Sequence, residues 1–137
     1  MPIVFQRVFY QLLLGLALLF LPLRLLLRGL KERGYWRHIP ERFGFAAALP
    51  GQPVWLHAVS VGEVNAALPM VTALRRGSPD LRLLVTTITQ TGSERVRALW
   101  GDAVEHVYLP YDLPGAVGRF LDHFRPAIAL IIETELW

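Results

Sequence analysis

The most constraining feature of this sequence is an uncharged, leucine-rich run between Arg7 and Arg24. As a helix, its sixteen residues would be about 24 Å long at about 1.5 Å per residue, against a membrane hydrocarbon core of about 30 Å. The long stems of the two flanking arginines can make up part of the difference by snorkelling. We therefore predict a single membrane-anchor helix within residues 1–28.

Two other interpretations of this run stay open. A cleaved signal peptide would need small residues before its cleavage site, but residues 21–25 read LPLRL and the next stretch is basic. A core helix of a soluble domain would have to hide a surface that is apolar nearly all round. We favour the anchor over both alternatives.

Basic residues are concentrated around the run. Residues 1–50 carry seven Lys and Arg against two acidic residues, whereas residues 51–137 carry seven against nine. Six of the seven lie downstream of the run: Arg24, Arg28, Lys31, Arg33, Arg37 and Arg42. By the positive-inside rule this bias places the rest of the chain in the cytoplasm. The pattern suits an anionic membrane surface rather than nucleic acid, although a solvated amphipathic linker helix would also account for it.

The remainder of the chain alternates strand and helix patterns. Residues 29–53 read as a basic juxtamembrane segment and a linker, because two prolines and a glycine fall between residues 46 and 53. Four strand candidates follow, at residues 54–59, 81–87, 104–109 and 127–132, and three amphipathic helical stripes separate them. Such alternation predicts a parallel sheet covered by helices on both faces. We expect residues 54–137 to form an α/β, Rossmann-like domain.

Several kinds of chemistry are excluded or disfavoured. The chain has no cysteine, which excludes a disulfide framework, a thiolate metal site and a cysteine nucleophile. Its four histidines show no ligand spacing, so we predict no metal site. The turn after the first strand is not G-x-G-x-x-G and no P-loop occurs, so we expect no tightly bound dinucleotide or other cofactor in this domain.

Acidic residues follow the first and fourth strand candidates. In an open parallel sheet, ligands bind beyond the carboxyl ends of the strands where the strand order reverses, commonly between the first and fourth strands. Glu63 follows the first strand, and Glu133 and Glu135 follow the fourth. These carboxylates could therefore face one crevice in an acid–base arrangement.

Each candidate also has a purely structural interpretation. Ser60 and Glu63 have the spacing of a capping box, in which the Glu63 carboxylate reaches back to the Ser60 backbone N–H. The hydroxyl-rich run 86–93 could bind a phosphate at a helix start, but Thr91 and Glu94 form a second potential capping box. His57 is more simply a hydrogen-bonded strand residue than a catalyst. Solvated strand ends would account for Glu133 and Glu135.

Five sequence segments resemble the Kdo (3-deoxy-D-manno-octulosonic acid) transferases of lipopolysaccharide assembly. They are residues 41–44 (ERFG), 57–63 (HAVSVGE), 86–96 (TTITQTGSERV), 106–114 (HVYLPYDLP) and 133–137 (ETELW). The resemblance covers essentially the whole chain, including the leucine-rich N-terminal helix. Gln90 departs from the pattern, where proline is expected, and this affects only the shape of that loop.

The resemblance implies an inverting glycosyltransferase with two Rossmann-like domains, which moves Kdo from CMP-Kdo to the lipid A precursor (lipid IVA) at the cytoplasmic face of the inner membrane. It implies that Glu63 is the proton acceptor and that Glu133 stabilises the transition state. We expect the surrounding residues to bind the acceptor: Ser60, Gly62, Thr89, Thr91, Gly92, Ser93 and Glu135.

The pattern of the family continues beyond Trp137 with Pro-Asn and a second domain that holds CMP-Kdo. We therefore expect this chain to be the N-terminal, acceptor-side part of such an enzyme, with the donor bound mainly elsewhere. The alternative is a non-catalytic, membrane-tethered module that binds lipid. A lipid-linked N-acetylglucosaminyl transferase would share the fold but should have a glycine-rich first loop, unlike residues 60–63 (SVGE).

Overall fold

The computed structural model describes residues 2–31, 35–47 and 51–133, and the chain divides into two compact units, residues 1–37 and 38–137. The first unit contains helix α1, Pro2–Lys31. Its part Gln6–Lys31 is long and apolar enough to cross a membrane. Most leucines of this helix are exposed, whereas a core helix of a soluble domain would bury them.

The end of α1 packs against the residues that follow it within the same unit. The Trp36 ring lies directly over Gly29, where an added Cβ would come within 2.2 Å of the ring. The Arg28 guanidinium lies 5.4 Å from the centre of the buried Tyr35 ring. A glycine at position 29 is therefore what allows Trp36 to pack on the helix.

The second unit is built on a parallel sheet of four strands. These are β1 Val54–Ala58, β2 Leu83–Thr87, β3 Glu105–Tyr108 and β4 Ile128–Ile132. Their order is β3-β2-β1-β4, with all neighbours parallel, so β1 lies beside β4 where the order reverses. The predicted α/β class is confirmed, and each strand lies within two residues of its predicted position.

Helices cover both faces of the sheet. On one face, α3 (Val61–Gly77) and α4 (Gln90–Trp100) pack over a core that includes Leu56, Ala58, Val64, Ala67, Val71, Val85 and Val96. On the other face, α5 (Pro114–Phe124) buries Phe120 and Phe124 against Leu84, with Trp55 and Val107 partly buried beside them. Val64, Ala67 and Val71 have the spacing of one helix face, which is why α3 adopts this orientation.

Residues 38–47, inside the expected linker region, pack on the carboxyl-terminal side of the sheet. They include the short helix α2, Ile39–Arg42. One Glu41 carboxylate oxygen accepts the Tyr108 backbone N–H at 2.9 Å, and the other bonds to His38 at 2.8 Å. The buried Arg42 donates to the Ile88 carbonyl at 3.0 Å and lies 4.4 Å from the centre of the Tyr108 ring.

Gly44 shows why the segment 41–44 ends in glycine. Its φ is +83°, in the left-handed region that favours glycine, and an added Cβ would lie 2.3 Å from the Ala116 carbonyl oxygen. The preceding carbonyl, of Phe43, accepts two hydrogen bonds from the Arg119 guanidinium at 2.9 and 2.7 Å. The segment 41–44 is therefore held to the sheet and to α5 by specific contacts of its own residues.

Candidate functional site

The candidate site lies at the carboxyl ends of β1 and β4. Ser60 is the N-cap of α3, Gly62 is exposed in the first turn, and Glu63 occupies the third position of this helix. Glu133 follows β4 directly and is exposed. Glu135 lies outside the described residues. The sheet thus brings Glu63 and Glu133 to one edge, on either side of the point where the strand order reverses.

Ser60 and Glu63 form the capping box that their spacing predicts. The Ser60 backbone N–H donates to Glu63 Oε2 at 3.0 Å, and the Ser60 hydroxyl donates to the same oxygen. The Glu63 side chain is half-buried, so it contacts both its cap and the solvent. The capping box therefore fixes the direction of the carboxylate before any ligand binds.

The same hydrogen bonds change the acidity of Glu63. The Ser60 hydroxyl, followed by the backbone N–H of Glu63 itself, lowers the pKa of the Glu63 carboxyl below its usual value. Hydrogen bonds to the charged form of an acid favour that form. Glu63 is therefore ionised at neutral pH, as a proton acceptor must be, but it is a weaker base than a free glutamate.

His57, on β1, is the hydrogen-bonded strand residue that the sequence analysis favoured. Its Nδ1 bonds to the Thr86 hydroxyl at 2.9 Å, and that hydroxyl also accepts the Trp55 Nε1–H at 2.8 Å. Burial lowers the pKa of His57, while the charges of Glu133 and Glu63 oppose the lowering. Both carboxylates therefore act on one imidazole, which is neutral at pH 7.

The sequence holds a signal for this arrangement. His57 pairs with Ile131 in the register between β1 and β4, and Glu133 is two residues further on. Because side chains alternate along a strand, His57 and Glu133 lie on the same face of the sheet. Knowledge of the strand order and the register would therefore have brought the two residues together.

The second candidate element is the turn between β2 and α4. Thr89 is the N-cap of α4, and its hydroxyl accepts the Gly92 backbone N–H at 3.1 Å. The alternative of a capping box at Thr91 and Glu94 is wrong, because the helix already begins at Gln90 and places Thr91 inside its first turn. Glu94 instead accepts a hydrogen bond from the Gln90 side chain at 3.0 Å.

Gly92 and Ser93 are buried in this first turn, whereas Thr91 is exposed. An added Cβ on Gly92 would lie 2.9 Å from the Thr89 hydroxyl oxygen and 3.3 Å from Thr87 Cβ. The Gly92 N–H is already donated to Thr89, so the cap competes with any phosphate for that donor. Thr91 is the hydroxyl of this turn that is most accessible to a ligand.

His106, on β3, contacts two hydroxyl groups of this turn. Its Nε2 lies 2.9 Å from the Thr87 hydroxyl and its Nδ1 lies 3.5 Å from the Ser93 hydroxyl. Burial lowers the pKa of His106 to about 4, and the positive charges of Arg97, His38 and Arg42 contribute further. His106 is therefore neutral throughout the physiological range.

The described residues contain no cluster of three or more His, Asp or Glu side chains that could hold a metal ion. What the edge offers is an oriented, ionised carboxylate at Glu63, a second carboxylate at Glu133 and a neutral imidazole at His57. Such a set can accept a proton from a hydroxyl and stabilise developing positive charge.

Comparison with known proteins places these features in a family. Residues 37–137 match the model of the 3-deoxy-D-manno-octulosonic acid transferase (kdotransferase) family. The 3-deoxy-D-manno-octulosonic acid transferase of Haemophilus influenzae is 45% identical in an alignment 137 positions long, which covers 96% of this chain and 31% of that protein.

Two further relatives come from distant organisms. A probable mitochondrial 3-deoxy-D-manno-octulosonic acid transferase of Arabidopsis thaliana is 41% identical over 81% of this chain and 25% of that protein. The enzyme of Bordetella pertussis is 41% identical over 80% of this chain and 28% of its own length. The chain thus spans about a third or less of these relatives and matches their N-terminal part. It belongs to the 3-deoxy-D-manno-octulosonic acid transferase family.

Proposed function

We propose that this chain is the acceptor-side part of a transferase that moves Kdo from CMP-Kdo to the lipid A precursor at the cytoplasmic face of the inner membrane. The observation that carries the proposal is the Glu63 carboxylate, held by Ser60 at the edge where β1 meets β4. The family to which the chain belongs supplies the class of reaction.

In the proposed reaction, Glu63 accepts the proton of the acceptor hydroxyl while that oxygen bonds to the anomeric carbon of Kdo. The bond between this carbon and the CMP phosphate oxygen breaks, and CMP leaves with its electron pair. The configuration at the anomeric carbon inverts, and Glu133 stabilises the positive charge that develops on the sugar. Thr89 and Thr91 contribute hydroxyls, and Ser60, Gly62, Gly92, Ser93 and Glu135 complete the acceptor side.

The position of the basic residues along the chain supports the membrane location in the proposal. Helix α1 is long and apolar enough to cross a membrane, and Arg24, Arg28 and Lys31 lie at its carboxyl-terminal end. Anionic lipids attract such cations at the cytoplasmic surface. A lipid acceptor resides in the same leaflet, so an anchored domain does not have to search for it in solution.

The experiment compares variants that separate chemistry from capping. A chimera would join residues 1–137 to the remaining part of the Haemophilus influenzae relative, and Kdo transfer from CMP-Kdo to the lipid A precursor would be measured. Glu63→Gln keeps a capping residue at this position but cannot accept the proton. We expect it to remain folded and to lose at least about 10²-fold in transfer rate.

Three results would decide against parts of the proposal. Undiminished transfer by Glu63→Gln would reduce Glu63 to a helix cap. An inactive wild-type chimera that is folded would exclude the transferase function. Binding of the lipid by residues 1–137, combined with an inactive chimera, would instead favour a non-catalytic, membrane-tethered lipid-binding module.

A further inference from the structure

His106 is a buried histidine that the proposed reaction does not use. It lies on β3 and contacts two hydroxyls of the turn at residues 87–93, which contains four of the expected acceptor-binding residues. These are Thr89, Thr91, Gly92 and Ser93. The imidazole thus contacts the turn from β3, and β2 lies between β3 and β1, the nearer strand of the crevice between β1 and β4.

One tautomer of His106 satisfies every hydrogen bond around it. In this tautomer the Thr87 hydroxyl donates its proton to the Thr89 carbonyl at 3.3 Å and accepts from His106. His106 therefore carries its proton on Nε2 and donates it to Thr87. Its Nδ1 is then an acceptor, which the Ser93 hydroxyl meets at 3.5 Å.

This chain of hydrogen bonds reaches the N-cap of α4. From His106 it passes through Thr87 to the Thr89 carbonyl, and the Thr89 hydroxyl caps the helix by accepting the Gly92 N–H at 3.1 Å. The Thr89 carbonyl also accepts the Ser93 N–H at 3.1 Å. The Thr89 carbonyl is therefore held by the Thr87 hydroxyl, which His106 contacts, and by the Ser93 backbone N–H.

Two other contacts hold the first half of the turn. The Ile88 N–H donates to the Val59 carbonyl at 3.1 Å, and the Ile88 carbonyl accepts from Arg42 at 3.0 Å. Neither contact reaches beyond Ile88. The second half, which carries Thr91, is the first turn of α4. The packing of α4 on the sheet holds it, together with the cap at Thr89, which His106 contacts through Thr87.

We propose that His106 is a positioning residue, which holds the 87–93 turn in the shape that receives the phosphorylated lipid acceptor. The inference rests on the proposed function for the identity of the ligand. The imidazole does not touch the acceptor; it acts through Thr87 and Ser93. Removal of its Nε2–H should loosen the N-cap of α4 and leave the sheet in place.

The test uses the full chain in lipid nanodiscs, with four variants. His106→Phe keeps a buried ring without hydrogen bonds, and His106→Gln keeps an amide N–H. Thr87→Val removes the hydroxyl partner with little change in shape. Val104→Ala is the control, because it removes buried methyl groups next to β3 without a polar contact to the turn.

Amide hydrogen exchange of residues 87–93 is the first measurement. We expect His106→Phe and Thr87→Val to speed exchange at Gly92 and Ser93 at least tenfold, with exchange within β1 unchanged. His106→Gln should stay within threefold of wild type, as should Val104→Ala. Unchanged exchange in both His106→Phe and Thr87→Val would overturn the proposal; if His106→Phe fails to fold, Thr87→Val alone decides.

Binding of the lipid A precursor is the second measurement. The variants with a loosened turn should bind at least tenfold more weakly, and His106→Gln should restore binding to within threefold. Wild-type binding that none of the variants weakens would overturn the positioning role and leave the proposed function intact. Absence of binding by the wild type, with the exchange results as expected, would overturn the acceptor assignment itself.

Discussion

Acidification tests the environment of His106 through the stability of the protein. The folded protein holds the pKa of His106 at about 4, whereas the ordinary value is 6.5. As the pH falls below 6.5, His106 binds a proton in the unfolded chain but not in the folded protein. The contribution of His106 to stability is therefore fully present above pH 6.5 and is lost progressively until about pH 4. Below that pH this residue causes no further loss.

The size of the effect follows from the two pKa values. Each pH unit between 6.5 and about 4 costs about 1.4 kcal/mol, so acidification across the window lowers the free energy of unfolding by about 3 kcal/mol. A domain of this size has a total stability of roughly 5–15 kcal/mol. Protonation of one buried histidine thus removes a substantial part of it.

The measurement compares wild type with His106→Gln in detergent micelles, by denaturant unfolding at pH 7, 5.5 and 4. His57 and Glu63 contribute pH dependence to both proteins, so the difference between the two proteins isolates His106. We expect the variant to gain about 3 kcal/mol relative to wild type between pH 7 and pH 4. A difference that is constant with pH, or an NMR titration of His106 with a pKa above 6, would refute the reasoning.

Three other predictions concern single residues. Ser60→Ala should raise the pKa of Glu63 towards its usual value and cost about 1 kcal/mol of stability through the lost cap, measured by NMR titration and denaturant unfolding. An unchanged pKa would contradict a hydrogen bond from the Ser60 hydroxyl to the Glu63 carboxylate. Gly44→Ala should destabilise by about 1–3 kcal/mol because of its positive φ and close packing, whereas Gly77→Ala, with open space around it, should be neutral or stabilising in the same assay. Glu63→Gln should lower the pKa of His57 further by removing a negative charge, and an NMR titration that shows a rise would contradict this.

Local patterns were sufficient to predict the framework of the sheet. The β-rich runs and the 3.6-residue stripes of helices such as α3 arise from contacts that repeat along the chain, so they are visible in a single sequence. The position of β1 beside β4 followed from the general topology of doubly wound sheets. The capping box of Ser60 and Glu63 is local as well, and its prediction is confirmed.

The start of α4 shows where local rules fail. Thr91 and Glu94 satisfy the capping-box pattern, whereas Thr89 has glycine three residues later and does not. The sheet nevertheless fixes the chain up to Ile88 through Val59, and Gly92 packs against Thr87 where a side chain would not fit. Tertiary contacts of this kind decide which threonine caps the helix, and they are not visible in the spacing.

The packing of residues 38–47 was unpredictable for a similar reason. Glu41 bonds to the backbone of Tyr108, and Arg42 to the backbone of Ile88. Almost any residue can supply a backbone N–H or carbonyl, so the identities of Tyr108 and Ile88 do not reveal these contacts. The ERFG motif therefore looks like a linker in the sequence, although each contact that it makes is specific.

The observed role of Glu63 as a helix cap and its proposed role as a proton acceptor place opposite demands on one carboxylate. The Ser60 hydroxyl and N–H orient it and keep it ionised, and for the same reason they weaken it as a base. An acceptor hydroxyl that donates to Glu63 would compete with the Ser60 hydroxyl, which can rotate away, whereas the backbone N–H cannot. Binding of the acceptor could then release one donor, restore part of the basicity and keep the orientation, so a cap built from one mobile and one fixed donor suits a proton acceptor.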